Sequence, residues 1–460
     1  MSVRSLLSND KIKKVLRSEN IRREMNAVIS DNPGSNSFNI IIDTTKAGSA
    51  NNTFILPLPS VGVYDYYVDW GEGTGEEHFV VNTSQTHVYT TAGTYYIKIR
   101  GIFPRIYFNN GGDKLKLISI DNWGDIIWAS FEGAFYGCSN MDCAAMDSAN
   151  TSSVTSFENT FRSCSSLTAI EVGDWDTSMV TSFERTFNYC SSLVKLNTSR
   201  WNTSSVTTLA YTFSSCPSLV ALNVGSWDTS SVTTLLYTFK GCFSLASLDT
   251  GRWDTSSVTS FYMTFNECSL LTILDTSGWD TSLVTTFYRC FYGCSLLTSL
   301  DVSNWDVSSV DCFGLVFYNC SSLVTLDTSN WDTLTANSFA QTFYGCSSLI
   351  ALDVSNWDTS SVLSFNSAFY GCISLKGSFA DLDLNMVASL TDMFWGCNIN
   401  DAGTDNYDAT LVSWAAQDIN AGLTFHGGTS QYSAGGGGTA ARAILTGAPN
   451  NWTITDGGEA

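Results

Sequence analysis

Cysteine recurs in this chain at Cys138, Cys164, Cys190, Cys216, Cys242, Cys268, Cys294, Cys320, Cys346 and Cys372, each 26 residues after the last, and then at Cys397 after 25. Tryptophan keeps the same step at Trp123, Trp175, Trp201, Trp227, Trp253, Trp279, Trp305, Trp331 and Trp357, with Ala149 at the one missing place. A phenylalanine stands three residues before every ladder cysteine, from Phe135 to Phe394. A period of roughly 20 to 50 residues marks units that cannot bury their apolar faces alone and must stack. Such a chain is a repeat solenoid, in which each coil contacts mainly its neighbours. Its 460 residues then count coils along one axis and need not be divided among compact cores.

The second half of the unit places Val180, Phe183, Phe187 and Cys190 on one helical face, with Asp-Thr-Ser before it as an N-cap. The first half, as in Leu297-Thr298-Ser299-Leu300-Asp301-Val302, is short and strand-like. The spacing therefore predicts α/β coils of strand, Trp-containing turn and one to three helical turns. The Val-Thr-Ser-Phe piece is open to a second reading as another short strand.

The array, residues 109–398, resembles the BspA-like leucine-rich repeat proteins, whose unit reads approximately F-x-x-C-S-S-L-T-S-L-D-L-S-N-F-D-T-S-N-V-T. Here Trp305 and its equivalents replace the usual Phe, and Ser or Met often replaces the Asn before Val. The resemblance implies about ten leucine-rich-repeat-like coils and a surface protein acting in adhesion or recognition. Pieces at both ends, Phe108 to Leu115, Phe425-His426-Gly427-Gly428 and Asn451 to Gly458, also look like the flanks of these proteins. Residues 399–460 break the period and are expected to cap the stack.

Ahead of the array, residues 37–108 read as strands at Phe38 to Ile42, Thr53 to Leu58, Tyr64 to Asp69, Phe79 to Val81 and Tyr95 to Arg100, separated by Gly, Ser, Asn and Pro. A small all-β sandwich follows. Val68-Asp69-Trp70-Gly71-Glu72-Gly73, then His87-Val88-Tyr89 and Ala92-Gly93-Thr94-Tyr95, resembles the polycystic-kidney-disease (PKD) repeat, with Glu72 where that family usually carries Asp.

Charge separates one more segment. The chain holds 22 basic and 43 acidic residues, a net charge of −21, which argues against nucleic acid or an anionic membrane as partner. Residues 1 to 30 depart from this, with seven basic residues (Arg4, Lys11, Lys13, Lys14, Arg17, Arg22, Arg23) against three acids. Ile12, Val15, Leu16, Ile21, Met25, Val28 and Ile29 recur at helical spacing, stopped by Asn32-Pro33-Gly34. Residues 1–36 are read as a basic amphipathic helix that docks or oligomerises, with packing on the next domain or lying on a membrane surface as the other readings. Neither a secretory signal nor a membrane span of roughly 18 apolar residues is visible.

Residues that imitate chemistry have simpler roles. The ladder cysteines share the apolar face with Phe and read as buried free thiols; Cys143, Cys290 and Cys312 lie off the ladder and are open to pairing. Asp249, Asp275, Asp301, Asp327 and Asp353 form one ladder and Asp228, Asp254, Asp280, Asp306, Asp332 and Asp358 another. Charges about 5 Å apart repel by roughly 0.8 kcal/mol even in water. Turn amides answer this cheaply; calcium between rows is the alternative, and no other cofactor is expected. Gly435 to Gly438 lack the lysine of a phosphate loop, and His78, His87 and His426 lack metal spacing. No catalytic set stands out, and an enzyme is not expected.

Two residues before each ladder cysteine the C-terminal coils carry Tyr292, Tyr318, Tyr344, Tyr370 and Trp395, where the earlier coils carry Arg162, Asn188, Ser214, Lys240 and Asn266. Stacking would align these rings in an exposed column fit to bind a glycan or a protein, with rings lying flat on their own coils as spacers as the other reading. Two functions are compatible with this. The one favoured by the lack of a visible secretory signal and anchor is a virion-surface fibre, tail or head-decoration protein of a bacteriophage, joined to other virion proteins by the N-terminal segment and binding a host surface protein or glycan. The other is a bacterial cell-surface adhesin. A homo-oligomer is compatible with both.

Overall fold

The computed structural model describes residues 36–400 and 404–460. The expected helix over residues 1–36 therefore lies outside the described residues, apart from Asn36. The chain divides into two compact units, one running to Met179 and including Tyr189–Asn197, the other holding Val180–Asn188 and Thr198–Ala460.

In the first unit, β1 (Phe38–Asp43), β2 (Thr53–Pro59), β3 (Asp65–Asp69), β4 (Glu76–Phe79), β5 (Thr83–Val88) and β6 (Thr94–Ile102) form the β-rich region. Alternation explains β6, where Ile97 and Ile99 are buried while Lys98 and Arg100 face out. The strand expected at 79–81 is replaced by two. β4 ends at Phe79 and pairs antiparallel with β3, and β5 starts at Thr83 to pair with β2. The charged Glu76-Glu77-His78 run hid β4, since charges are common on an edge strand.

β1 lies antiparallel to both β6 and β7 (Leu117–Asn122), and β7 is parallel to β8 (Asp142–Cys143). The sheet order is β4-β3-β6-β1-β7-β8. Because β7 and β8 belong to the start of the array, residue 108 divides the chain without dividing the sheet. Phe38 fills the joint, 5.9 Å from Trp123 and 5.0 Å from Trp128 between ring centres. At the other end of β1, where the Asp43 amide donates to the Lys116 carbonyl, Asp113 and Lys116 are fully buried. Asp113 accepts from the amides of Ser49 and Ile55 at 2.6 and 2.7 Å, and the Lys116 ammonium donates to the carbonyls of Ser49, Ala50 and Thr53 at 2.7 to 3.1 Å. Buried charges are tolerable only when saturated in this way.

In the second unit, residues 26 apart pair in parallel along two short ladders. One joins Ser247 to Ile273 and Leu248 to Leu274, and later Thr325 to Ala351 and Leu326 to Leu352. The other steps through Ser182, Thr208, Thr234, Ser260 and Thr286. The Val-Thr-Ser-Phe piece thus takes its second reading, a short strand.

The helical turns expected after it do not form, and the coils are not α/β. Arg185 has φ +54° and Tyr211 +58°, a left-handed conformation that an α-helix excludes. The amides explain why: Phe183, Arg185 and Phe187 donate forward to Thr208, Ala210 and Thr212 of the next coil instead of back along a helix. Between them Thr186 closes a tight turn onto Phe183. Nor does Asp act as an N-cap. Asp254 instead folds over its own turn, accepting the Ser256 amide at 3.0 Å and hydroxyl at 2.6 Å.

The C-terminal region closes the stack with α1 (Asn406–Ala415), α2 (Gly437–Thr446) and a parallel pair, Thr424–His426 with Thr453–Thr455. Phe425 continues the ladder from Leu390. Side chains of this region take the last coil's orphan backbone groups: Trp414 Nε1 donates to the Phe379 carbonyl at 3.0 Å, Gln417 accepts from the Leu384 amide at 2.7 Å, and Asn420 donates to the Val387 carbonyl at 2.8 Å.

Candidate functional site

The ladder residues are core. Every ladder cysteine is buried, and all fourteen thiols are free, including Cys143, Cys290 and Cys312. Each thiol from Cys164 to Cys372 has the phenylalanine carbonyl 29 residues earlier as acceptor, as in Cys268 to Phe239 at 3.2 Å and Cys346 to Phe317 at 3.1 Å. Burial pushes the thiols of Cys164, Cys190, Cys242, Cys268, Cys294, Cys320, Cys346 and Cys372 up, Cys242 and Cys294 to about 12. Trp175, Trp227, Trp253, Trp279, Trp305, Trp331 and Trp357 are likewise buried. They serve packing and are not exposed for binding.

The Asp ladders hold turns. Asp275, Asp301, Asp327 and Asp353 each accept from the serine amide two residues on, at 3.0 to 3.1 Å. The serine hydroxyl and amide hold Asp254, Asp275 and Asp358 below the ordinary carboxylate value of 3.8. Among the described residues no group of three or more His, Cys, Asp or Glu gathers for a metal ion, calcium included.

What remains outward is aromatic. Tyr292, Tyr318, Tyr344 and Tyr370 stack at 4.5 to 4.6 Å between ring centres, within 7° of parallel, and Trp395 follows at 6.0 Å and 5°. The tyrosines are half-buried and Trp395 is 46% exposed. Each ring covers its neighbour's face, so the column presents ring edges and hydroxyls. Desolvation, and after it the neighbouring ring Tyr344, raises the Tyr318 hydroxyl above its ordinary value.

The column is half of a longer strip. Tyr211 and Tyr237 stack at 4.6 Å, Tyr262 follows at 5.4 Å and Tyr288 at 5.2 Å. Arg185 lies over Tyr211 at 4.6 Å and Lys240 over Tyr237 at 5.2 Å. Arg289 sits 5.3 Å from both Tyr288 and Tyr292, joining the two halves. At the far end His426 packs 4.3 Å from Trp395. Reading one register alone misses the first half, because these tyrosines stand five or six residues before the ladder cysteine instead of two. Their own steps of 26, 25 and 26 residues carried the signal.

A family model described as "Mycoplasma protein of unknown function, DUF285" matches three times in tandem, at residues 129–245, 207–325 and 316–429. Together these span most of the array and well over half of the chain. No curated protein matches the sequence. Among solved structures, one titled "Functional domain of InlJ from Listeria monocytogenes includes a cysteine ladder" aligns over 70% of this chain and 75% of its own, at 12% identity and a TM-score of 0.17.

Proposed function

The chain belongs to the DUF285 repeat family, and from that premise we propose that it is a non-enzymatic recognition or adhesion protein of the bacterial cell surface, its coils wound as a leucine-rich-repeat-like solenoid. The observation that carries the reading is the outward ring column from Tyr292 to Trp395. Rings held rigid by mutual stacking lose little entropy when a partner covers their edges, which makes them efficient contact residues. A nucleophilic role for the thiols is disfavoured, since burial holds Cys268 well above its ordinary value and keeps it protonated.

The β-rich region is read as PKD-like. Its Trp70 stacks on His87 at 4.6 Å, and Glu72 accepts from the Thr90 amide and hydroxyl at 3.2 and 3.0 Å, clipping the turn where that family usually has Asp. The virion function expected from the lack of a visible signal and anchor, with the basic N-terminal segment outside the described residues as its dock, gains nothing from the family match. Cell-surface display is the better supported of the two.

Two measurements test the reading. Antibodies against the array should label intact cells of the producing bacterium, and Tyr318→Ala, Tyr344→Ala and Tyr370→Ala together should reduce adherence to host cells with the circular dichroism unchanged. Unlabelled cells would remove the surface assignment, and unchanged adherence would remove the column.

A further inference from the structure

Resting on the reading of the ring column as a recognition face, we propose that the whole strip from Arg185 to His426 is one binding track for a linear, uncharged polysaccharide. Continuity is the first support. Where the aromatic position shifts within the repeat, the strip does not break: Arg289 stands between Tyr288 and Tyr292 at 5.3 Å from each. A stacking ladder needed only for coil register could end at any coil, whereas a track for an extended chain has to cross the shift.

The floor beside the rings is the second. Each ring of the C-terminal half is followed by Gly293, Asn319, Gly345, Gly371 or Gly396, all left-handed. The conformation alone does not require glycine, since Ser215 and Glu267 adopt it at the same place in the repeat with φ +61° and +62°. A Cβ on Gly371 would sit 3.8 Å from the Gly345 Cα, and one on Gly396 3.7 Å from the Gly371 Cα. From Gly345 through Gly371 to Gly396 the row therefore forms a short furrow of bare backbone alongside the ring edges, bounded on its N-terminal side by the Asn319 side chain, which reaches over Gly345.

The polar groups identify the occupant. Gly293, Gly345 and Gly371 each donate their amide to the next coil's carbonyl at 2.7 Å, so the furrow offers no open backbone ladder to a peptide adding as a strand. A strip one residue wide per coil also lacks the breadth of a folded-protein interface, roughly 20 to 30 residues a side. Hydroxyls in a row, ring edges and the cations Arg185, Lys240 and Arg289 remain, suited to a polyhydroxylated chain running from coil to coil. Arg185 is paired with Glu184, and Glu267 beside Gly293 and Asp392 near Tyr370 add acidic groups along the strip, which disfavours a polyanion.

The test is native electrophoresis of the full chain through gels containing soluble galactomannan, xyloglucan or hydroxyethyl cellulose. At least one should retard the parent protein. Y211F/Y237F and Y318F/Y344F keep the rings and remove the hydroxyls, and each should weaken retardation by at least about tenfold, because an extended ligand loses one of two linked halves. Retardation by none of the three polymers, or equal retardation of the parent and both variants, would overturn the proposal. Loss of adherence in the triple alanine variant with no polymer retarding the parent would leave the recognition face standing and remove the polysaccharide. Dependence on Tyr318 and Tyr344 but not on Tyr211 and Tyr237 would confine the site to the five-ring column and refute the continuous track.

Discussion

At the scale of single residues, the same side-chain types do opposite work according to which way the coil turns them. Cys268 faces the stack interior, where it fills space and donates to the Phe239 carbonyl at 3.2 Å. Cys268→Ala should lower stability by about 1 to 2 kcal/mol through the cavity left behind, read from denaturant midpoints. Denatured protein without reductant should titrate close to 14 thiols, and ladder disulfides seen by intact mass would contradict the core assignment. The outward carboxylates set a pH dependence instead. Asp176, Asp254, Asp275, Asp280, Asp353 and Asp358 are held below 3.8 by the serine hydroxyls and amides of their own turns. Their contribution is therefore full above the ordinary carboxylate value and is lost as pH falls through the lowered ones. Thermal melts should show Tm level from neutral pH down to about pH 5 and falling below pH 4; a Tm unchanged down to pH 2 would sink this. At the other extreme, burial and the neighbouring Tyr262 push Tyr237 up to about 12 from its ordinary value of 10. It favours the folded state below pH 10, and that contribution fades as pH climbs from 10 through 12.

At the scale of the element, coils are held by buried threonine hydroxyls set between the carbonyls of two coils. Thr342, fully buried, donates to Phe339 of its own turn at 2.7 Å and lies 3.0 Å from the Phe313 carbonyl of the preceding coil. Thr342→Val keeps the shape and removes both, and should cost about 1 to 3 kcal/mol because buried carbonyls lose a partner; a neutral effect on the denaturant midpoint would show that water replaces the hydroxyl. Thr160, Thr186, Thr212 and Thr238 make the equivalent bond to their own turns at 2.7 Å. This shared device lets a coil do without a helix. The apolar spacing of Val180, Phe183, Phe187 and Cys190 imitates helical periodicity because two successive tight turns also advance an inward residue every three or four positions. Spacing alone cannot separate the two conformations; the left-handed Arg185 and the forward-donated amides do.

At the scale of the whole molecule, near-identical coils make the second unit tolerant of changes in coil number. Deleting Ser321–Cys346, one full period, keeps the register on both sides, and the shortened protein should still unfold cooperatively at a lower Tm. Multiphasic unfolding would show that the coils are less interchangeable than their repeat implies. The β-rich region should not be removable in the same way. β1 pairs with β7, so a protein starting at Asn109 exposes the edge of β7 and the faces of Trp123 and Trp128 that Phe38 covers. Such a fragment should aggregate where one starting at Asn36 stays monomeric by light scattering.

Taken by itself, the sequence determined the repeat length, the inward Phe, Cys and Trp ladders, the capped C-terminal end and the five-ring column. All of these depend on period, and period is a property of the chain read in one dimension. What only the tertiary structure decided depends on partners a whole coil away. Amides bonded 25 residues forward turned an expected helix into turns. A sheet shared between β1 and β7 joined two regions that composition separates. Rings drawn from three registers of the repeat met in one strip because Arg289 bridges a step that no single spacing contains.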